Sequence, residues 1–323
     1  QLGGGDGIDF GLLPGYRVSG GFYLDPDQKI GIGSRGYGIF AASERYRNAS
    51  DGTGGANNPS IGIPFFDLRP GNATNYVGDN AFLVAYENNL GQPVSSGAVD
   101  VRSDLEMFGG DGSLHLLLSR SAGIRMDMLG GYSYNELRNS ISVASQSTNL
   151  FTGDAIVDGT QFQTNDLFAT KNVFHGGHLG VLSSVVRNRV SLSTLAKISF
   201  GSMQQSGAIS GFTVQTPPVG AGSTFGAGIL TQPSNIGTFS RNRFAYIPEL
   251  GIKLGLRPRD NIEFNVGYTM MMWSSVVMAG DQIDNVVDAR QLAGTNVSNR
   301  PALPFRETAF WMQGVDLGVT LTY

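Results

Sequence analysis

The stretch Ile262-Glu263-Phe264-Asn265-Val266-Gly267-Tyr268-Thr269-Met270 decides the fold. Ile262, Phe264, Val266, Tyr268, Met270 and Met272 fall on one side of a strand, and Glu263, Asn265, Gly267 and Thr269 on the other, because successive strand side chains point to opposite faces. The same alternation recurs at the C-terminus, where Val315, Leu317, Val319, Leu321 and Tyr323 oppose Gly314, Asp316, Gly318, Thr320 and Thr322. Val190, Leu192, Ala196, Ile198 and Phe200 oppose Ser191, Ser193, Lys197 and Ser199, and Leu250, Ile252, Leu254 and Leu256 oppose Glu249, Gly251, Lys253 and Gly255. Ile124, Met126, Met128, Tyr132 and Tyr134 oppose Arg125, Asp127, Gly131, Ser133 and Asn135. Period two held for about ten residues is the length a tilted strand needs to cross a bilayer.

Outward from these strands the chain reads as tight turn, long loop, tight turn, long loop. The turns fall at Asp25 to Gln28, Ser119 to Gly123, Arg187 to Arg189 and Arg257 to Asp260, where Pro, Asp, Asn and Gly supply turn geometry. Polar stretches at 42–97, 146–170, 206–241 and 279–308 separate them. Loops of that length are unusual in a compact soluble domain and ordinary on one side of an outer-membrane barrel. The expected strands are 15–24, 29–41, 98–109, 124–144, 171–185, 190–205, 242–256, 261–277 and 310–323, with a bulge at Gly109 to Gly112. The faces of 29–41 and 171–185 are left open.

Composition agrees. The chain of 323 residues holds 46 glycines, only 15% charged residues and no cysteine, with a net charge of −4. Glycine is at roughly twice its usual frequency and charge well below the usual quarter. No basic run points to nucleic acid, and no disulfide or thiolate chemistry is open to the chain. No apolar segment is long enough for a transmembrane helix.

A soluble sandwich also alternates. Against it stand ionisable residues amid Gly and Ser on the polar face (Arg17, Arg102, Asp104, Glu106, Arg125, Asp127 and others), aromatics near strand ends, and a final aromatic strand residue. The expectation is an all-β, antiparallel, up-and-down transmembrane β-barrel in the bacterial outer membrane, with short periplasmic turns and long outer loops. Backbone groups in lipid must all be paired, so the sheet closes, and bacterial single-chain barrels close on an even count. Nine strands are visible and the first heads toward a short turn. About ten are therefore expected, one of them upstream of Gln1. The alternative is a pair hidden in 42–97, at Ile61 to Leu68 and Ala81 to Tyr86.

Ser240-Arg241-Asn242-Arg243-Phe244-Ala245, Pro248-Glu249-Leu250-Gly251, Trp273-Ser274-Ser275-Val276-Val277, Gly280-Asp281-Gln282-Ile283-Asp284 and Asn299-Arg300-Pro301-Ala302-Leu303-Pro304 resemble the putative beta-barrel porin-7 family of outer-membrane proteins. So does Gly15-Tyr16-Arg17-Val18-Ser19-Gly20-Gly21-Phe22 near the start. The resemblance implies one outer-membrane barrel domain over 1–323, with a strand upstream of residue 15, and it carries over no catalytic residues.

Candidate lumen residues are Arg17, Arg125, Asp127, Lys197, Glu249, Lys253, Glu263 and Asp316. Ten strands lie near the size whose interior side chains fill, so a narrow or occluded polar lumen is expected, with at most ions or small polar solutes passing. The rival reading is a structural or docking barrel that presents its outer loops to a protein partner. An outer-membrane hydrolase is the weakest reading, since no catalytic motif supports it. Outer-membrane lipid is the other expected partner. No catalytic residue, metal or cofactor is expected. His175 and His178, three apart on a strand, face opposite sides and do not share a metal. Asp281, Asp284 and Asp288 read as a solvated loop before a cation site, and Gly3 to Gly7 as a flexible segment that lacks the Lys and Ser/Thr of a phosphate loop.

Overall fold

The computed structural model describes residues 10–55, 58–69, 77–151, 156–259, 261–293 and 298–322. Its thirteen strands form one sheet. They are β1 (Gly15–Tyr23), β2 (Ile30–Ser50), β3 (Ile61–Asp67), β4 (Gly78–Glu87), β5 (Pro93–Ser121), β6 (Ile124–Asn149), β7 (Gln161–Arg187), β8 (Val190–Thr216), β9 (Ser223–Phe225), β10 (Gly237–Arg259), β11 (Ile262–Val276), β12 (Val286–Val287) and β13 (Thr308–Leu321). The expected count of about ten is thus corrected. The nine segments read from the sequence are the antiparallel meander β1-β2-β5-β6-β7-β8-β10-β11-β13, and β3, β4, β9 and β12 are short additions within its long loops. The suspected pair in 42–97 exists as the β3–β4 hairpin, which joins β5 by only two residue pairs and is not a full wall strand.

Local chemistry sets one end. Asp25 accepts the backbone N–H groups of Lys29 and Ile30 (2.8 and 2.7 Å) and closes the β1–β2 turn. β5–β6 and β7–β8 turn on two residues each, and Gly123 (φ 77°) and Asn188 (φ 56°) supply the left-handed backbone that such hairpins require. Asp260, at the β10–β11 turn, lies outside the described residues.

The sheet is rolled. Arg35 on β2 bonds Glu249 on β10, five ladders away along the meander, and Arg17 on β1 reaches Asp316 on β13 (3.3 Å). Flat strands about 4.8 Å apart could not make the first contact. Among the described residues no backbone ladder joins β1 to β13.

β5 to β8 run for 29, 26, 27 and 27 residues, well beyond the expected segments. The alternation shows only part of these lengths, because on β5 and β6 the polarity of the two faces inverts along the strand. On β6 near the turn end, Ile124, Met126 and Met128 point outward while Arg125 and Asp127 point in; further on, Arg138, Ser140 and Ser142 point outward while Leu137, Ile141 and Val143 point in. On β5, Leu114, Leu116 and Leu118 share the outward face with Arg102, Asp104 and Glu106. The last three were expected on the polar inner face and instead lie outside. Near the turn end the inversion is clear on β10, where Leu254 is 50% exposed and Glu249 1%. The expected bulge at Gly109 to Gly112 is absent, since β5 pairs in unbroken register there; irregularities fall at Ile39/Ala42 and Leu117/Ser119.

Candidate functional site

The inner face carries the chemistry. Arg35 and Asp111 are direct partners across β2 and β5, and Lys197 and Glu249 across β8 and β10. The two pairs meet across the rolled interior. Arg35 Nη2 lies 2.5 Å from Asp111 Oδ2 and donates to Glu249 Oε2 at 2.7 Å; Lys197 Nζ lies 2.7 Å from Asp111 and 3.0 Å from Glu249. Two cations and two anions thus form a neutral, largely buried knot in which every charge touches both opposites, the arrangement that makes burying charge tolerable.

The eight sequence candidates all sit on this inward face, but the structure brings only some together. Lys197 and Glu249 join the knot. Arg125 grips Asp127 through two bonds of 2.7 Å and lies over the Tyr23 ring at 4.7 Å. Arg17 donates to Thr269 Oγ1 (2.9 Å) and pairs with Asp316, and Glu263 accepts from Arg257 Nε (2.5 Å). Among the described residues no hydrogen bond or ion pair reaches the Lys253 side chain. Glycines beneath the charged groups leave room for them. A Cβ on Gly33 would lie 2.6 Å from His115 Nε2 and one on Gly267 2.7 Å from Asp316 Oδ2, so a larger residue at either position would push that side-chain tip aside.

Arg35 and Asp111 were missed. Arg35 stands in the segment whose faces the alternation left open, and Asp111 inside the Gly-rich run read as a bulge. Their opposite charges were the available signal.

Toward the loop end the interior becomes apolar. Tyr37, Met107, Leu137, Phe174, Met203, Met271 and Trp273 pack as one cluster, and Tyr37 donates its hydroxyl to Asn135. Loops fold in above them. Asn172 receives Val277 N (2.8 Å) and donates to Val277 O (2.9 Å), Asn139 accepts Ala279 N (2.9 Å), and Gln205 donates to Ser275 O (3.1 Å). Asp166, fully buried, accepts Ile229 N, Leu230 N and Thr231 N (3.2, 3.0 and 2.8 Å) and Thr231 Oγ1 (2.7 Å). Ile229, Leu230 and Val287 from the loops then join Ile141, Val143 and Phe168 from the wall in a second core. Polar residues on the inner face thus serve two ends. Near the turns they pair with one another; near the loops they tether backbone.

In the loops, burial works against the Asp67 carboxylate, but the Arg69 side chain and backbone N–H and the Asn80 amide hold its pKa below the ordinary value. The Arg290 guanidinium does the same for Asp288. Asp288 bonds Arg290, and Asp284 bonds Arg300 (2.8 Å) and Ala302 N (2.8 Å). His175 points outward to Tyr132 and His178 inward to Ser133 (2.8 Å). Gly3 to Gly7 lie outside the described residues.

The family model described as putative beta barrel porin-7 matches residues 1–323. No curated protein matches the chain.

Proposed function

The chain belongs to the putative beta barrel porin-7 family, and from that premise we propose that it is a non-enzymatic barrel of the bacterial outer membrane whose polar lumen is narrow or occluded. The inversion of the strand faces carries this reading. Rows such as Leu250-Ile252-Leu254 and Phe264-Val266-Tyr268 face outward over about ten residues at the turn end, and burying charge while exposing such rows is favourable only where the surroundings are hydrocarbon. Beyond that band β5 and β6 carry Arg102, Asp104, Glu106 and Arg138 outside and Leu105, Met107, Leu137 and Ile141 inside, as water outside demands. The knot of Arg35, Asp111, Lys197 and Glu249 and the infolded loops supply the occlusion. With lumen charges this closely matched, any solute admitted is small and polar.

Two measurements test it. Val266→Arg puts a charge on the lipid side and is expected to cost the folded barrel about 2–4 kcal/mol in vesicles, read from urea unfolding; a cost near zero would remove the hydrocarbon from the picture. Single-channel recording of the full-length chain is expected to give no current or small steps, because open aqueous pores belong to barrels of about sixteen strands or more. A large steady conductance overturns the occluded lumen.

The loop-end crown has its own apolar core of Ile61, Ile63, Val84, Ile229 and Leu230. Loops packed on a core of their own favour, as a second reading, a docking barrel presenting them to a protein partner.

A further inference from the structure

On the outward face, where the apolar rows of β6 and β7 end, Tyr132, Tyr134 and His175 form an aromatic cluster, with Tyr132 Oη 2.7 Å from His175 Nδ1 and Tyr134 edge-on to the same ring at 5.0 Å. The next outward residue along β6 is Glu136. It points away from the interior, yet its side chain is only 3% exposed. Tyr134 donates its hydroxyl to Oε2 (2.5 Å), while Arg138 Nη2 (2.5 Å) and Lys171 Nζ (3.0 Å) both converge on Oε1. One carboxylate oxygen therefore gathers two cationic heads, and those side chains remain 50% and 44% exposed. A groove of about 520 Å³ opens beside them, lined also by Ala169, Ser140, Ser206 and Thr238. Its β5 end holds Asp104, which accepts from Arg102 (2.9 Å), and Glu106, 3.7 Å from Arg138.

We propose that Arg138 and Lys171 hold the phosphate of an outer-leaflet lipid, whose headgroup lies in this groove. The height fits. Aromatic girdles mark the headgroup level of a membrane, and Arg138 and Lys171 stand only a few residues beyond this one, at about 3.3 Å of rise per residue. The chemistry fits as well. Glu136 is covered, and with Glu106 at the β5 end it balances Arg138 and Lys171, so the recognition is local: the exposed Lys171 ammonium and the outer edge of the Arg138 guanidinium, the two groups proteins use for phosphate, stand side by side on the β6–β7 side of the groove. On the outward row of β6 only Glu136 separates Arg138 from Tyr134 of the girdle, so the groove begins next to the level where the apolar band ends. This inference rests on the membrane reading above.

Native mass spectrometry of the full-length chain in detergent, with phosphatidic acid added, tests it. One phosphatidic-acid adduct is expected on the wild type, about tenfold or more weaker on R138A/K171A, and retained on R138K/K171R, which keeps both charges. Equal adducts on wild type and R138A/K171A overturn the proposal. So does indifference between phosphatidic acid and diacylglycerol, which lacks the phosphate, and so does displacement by millimolar inorganic phosphate, which would make the ligand a free anion. Flotation of the same proteins with vesicles separates the two levels. A chain that does not float sinks the membrane reading itself, and one that floats without a selective adduct sinks only the lipid site.

Discussion

Glu249→Ala is expected to cost the folded barrel about 3–5 kcal/mol, because it leaves Arg35 and Lys197 buried around a single remaining acid. Its carboxylate takes both cations from the far wall and the near one, so no neighbouring side chain substitutes for it. Removing all four charges together is a different experiment. Apolar residues of similar volume at Arg35, Asp111, Lys197 and Glu249 are expected to leave stability near the wild type, since the desolvation cost disappears with the attraction. Urea unfolding of the refolded barrel measures both. The result also bears on function. In a hydrated pore the lone cations would be solvated, and Glu249→Ala would cost about 1 kcal/mol or less while shifting ion selectivity. A small cost would therefore show that water fills the lumen, and the occluded reading would fall.

Asp166→Ala is the second large effect, and it is local. The carboxylate satisfies three backbone N–H groups and one hydroxyl from residues 229–231, all buried. Each donor left without a partner costs about 1–3 kcal/mol, and the cheapest relief is for the loop to leave the interior. Hydrogen exchange over 228–236 is expected to accelerate by about a hundredfold, equivalent to about 3 kcal/mol, with the β7–β8 ladder unchanged. Asp166→Asn should fall between, because one amide oxygen can still receive the bonds made to Oδ1 while the Ile229 bond is lost. Unaltered exchange in the alanine variant would mean that the apolar contacts of Ile229 and Leu230, and not Asp166, hold the loop inside.

These two positions also mark what could and could not be read from the chain. Glu249 was legible as an inward charge, because Leu250, Ile252 and Leu254 alternate with it. Its partners on β2 and β5 were not. Arg35 lies among glycines whose two faces look alike, and Asp111 sits in Gly109 to Gly112, where missing side chains imitate a bulge. Asp166 fell within a stretch read as loop. There the apolar residues change faces, so a search for one continuous alternation stops too early. For the same reason Arg102, Asp104 and Glu106 alternate correctly and yet were placed on the wrong side. Period two says that two faces differ; only the surroundings say which one is inside.

The nine long meander strands, their short-turn end and the segregation of charged from apolar residues along each strand were set by the sequence alone, because turn geometry and side-chain alternation are local properties of neighbouring residues. The meeting of Arg35 and Asp111 with Lys197 and Glu249, the reversal of faces halfway along β5 and β6, and the loops folded into the interior were decided by the tertiary structure. They depend on how far the sheet curls and on the register of ladders up to five strands apart, and no local pattern encodes either quantity.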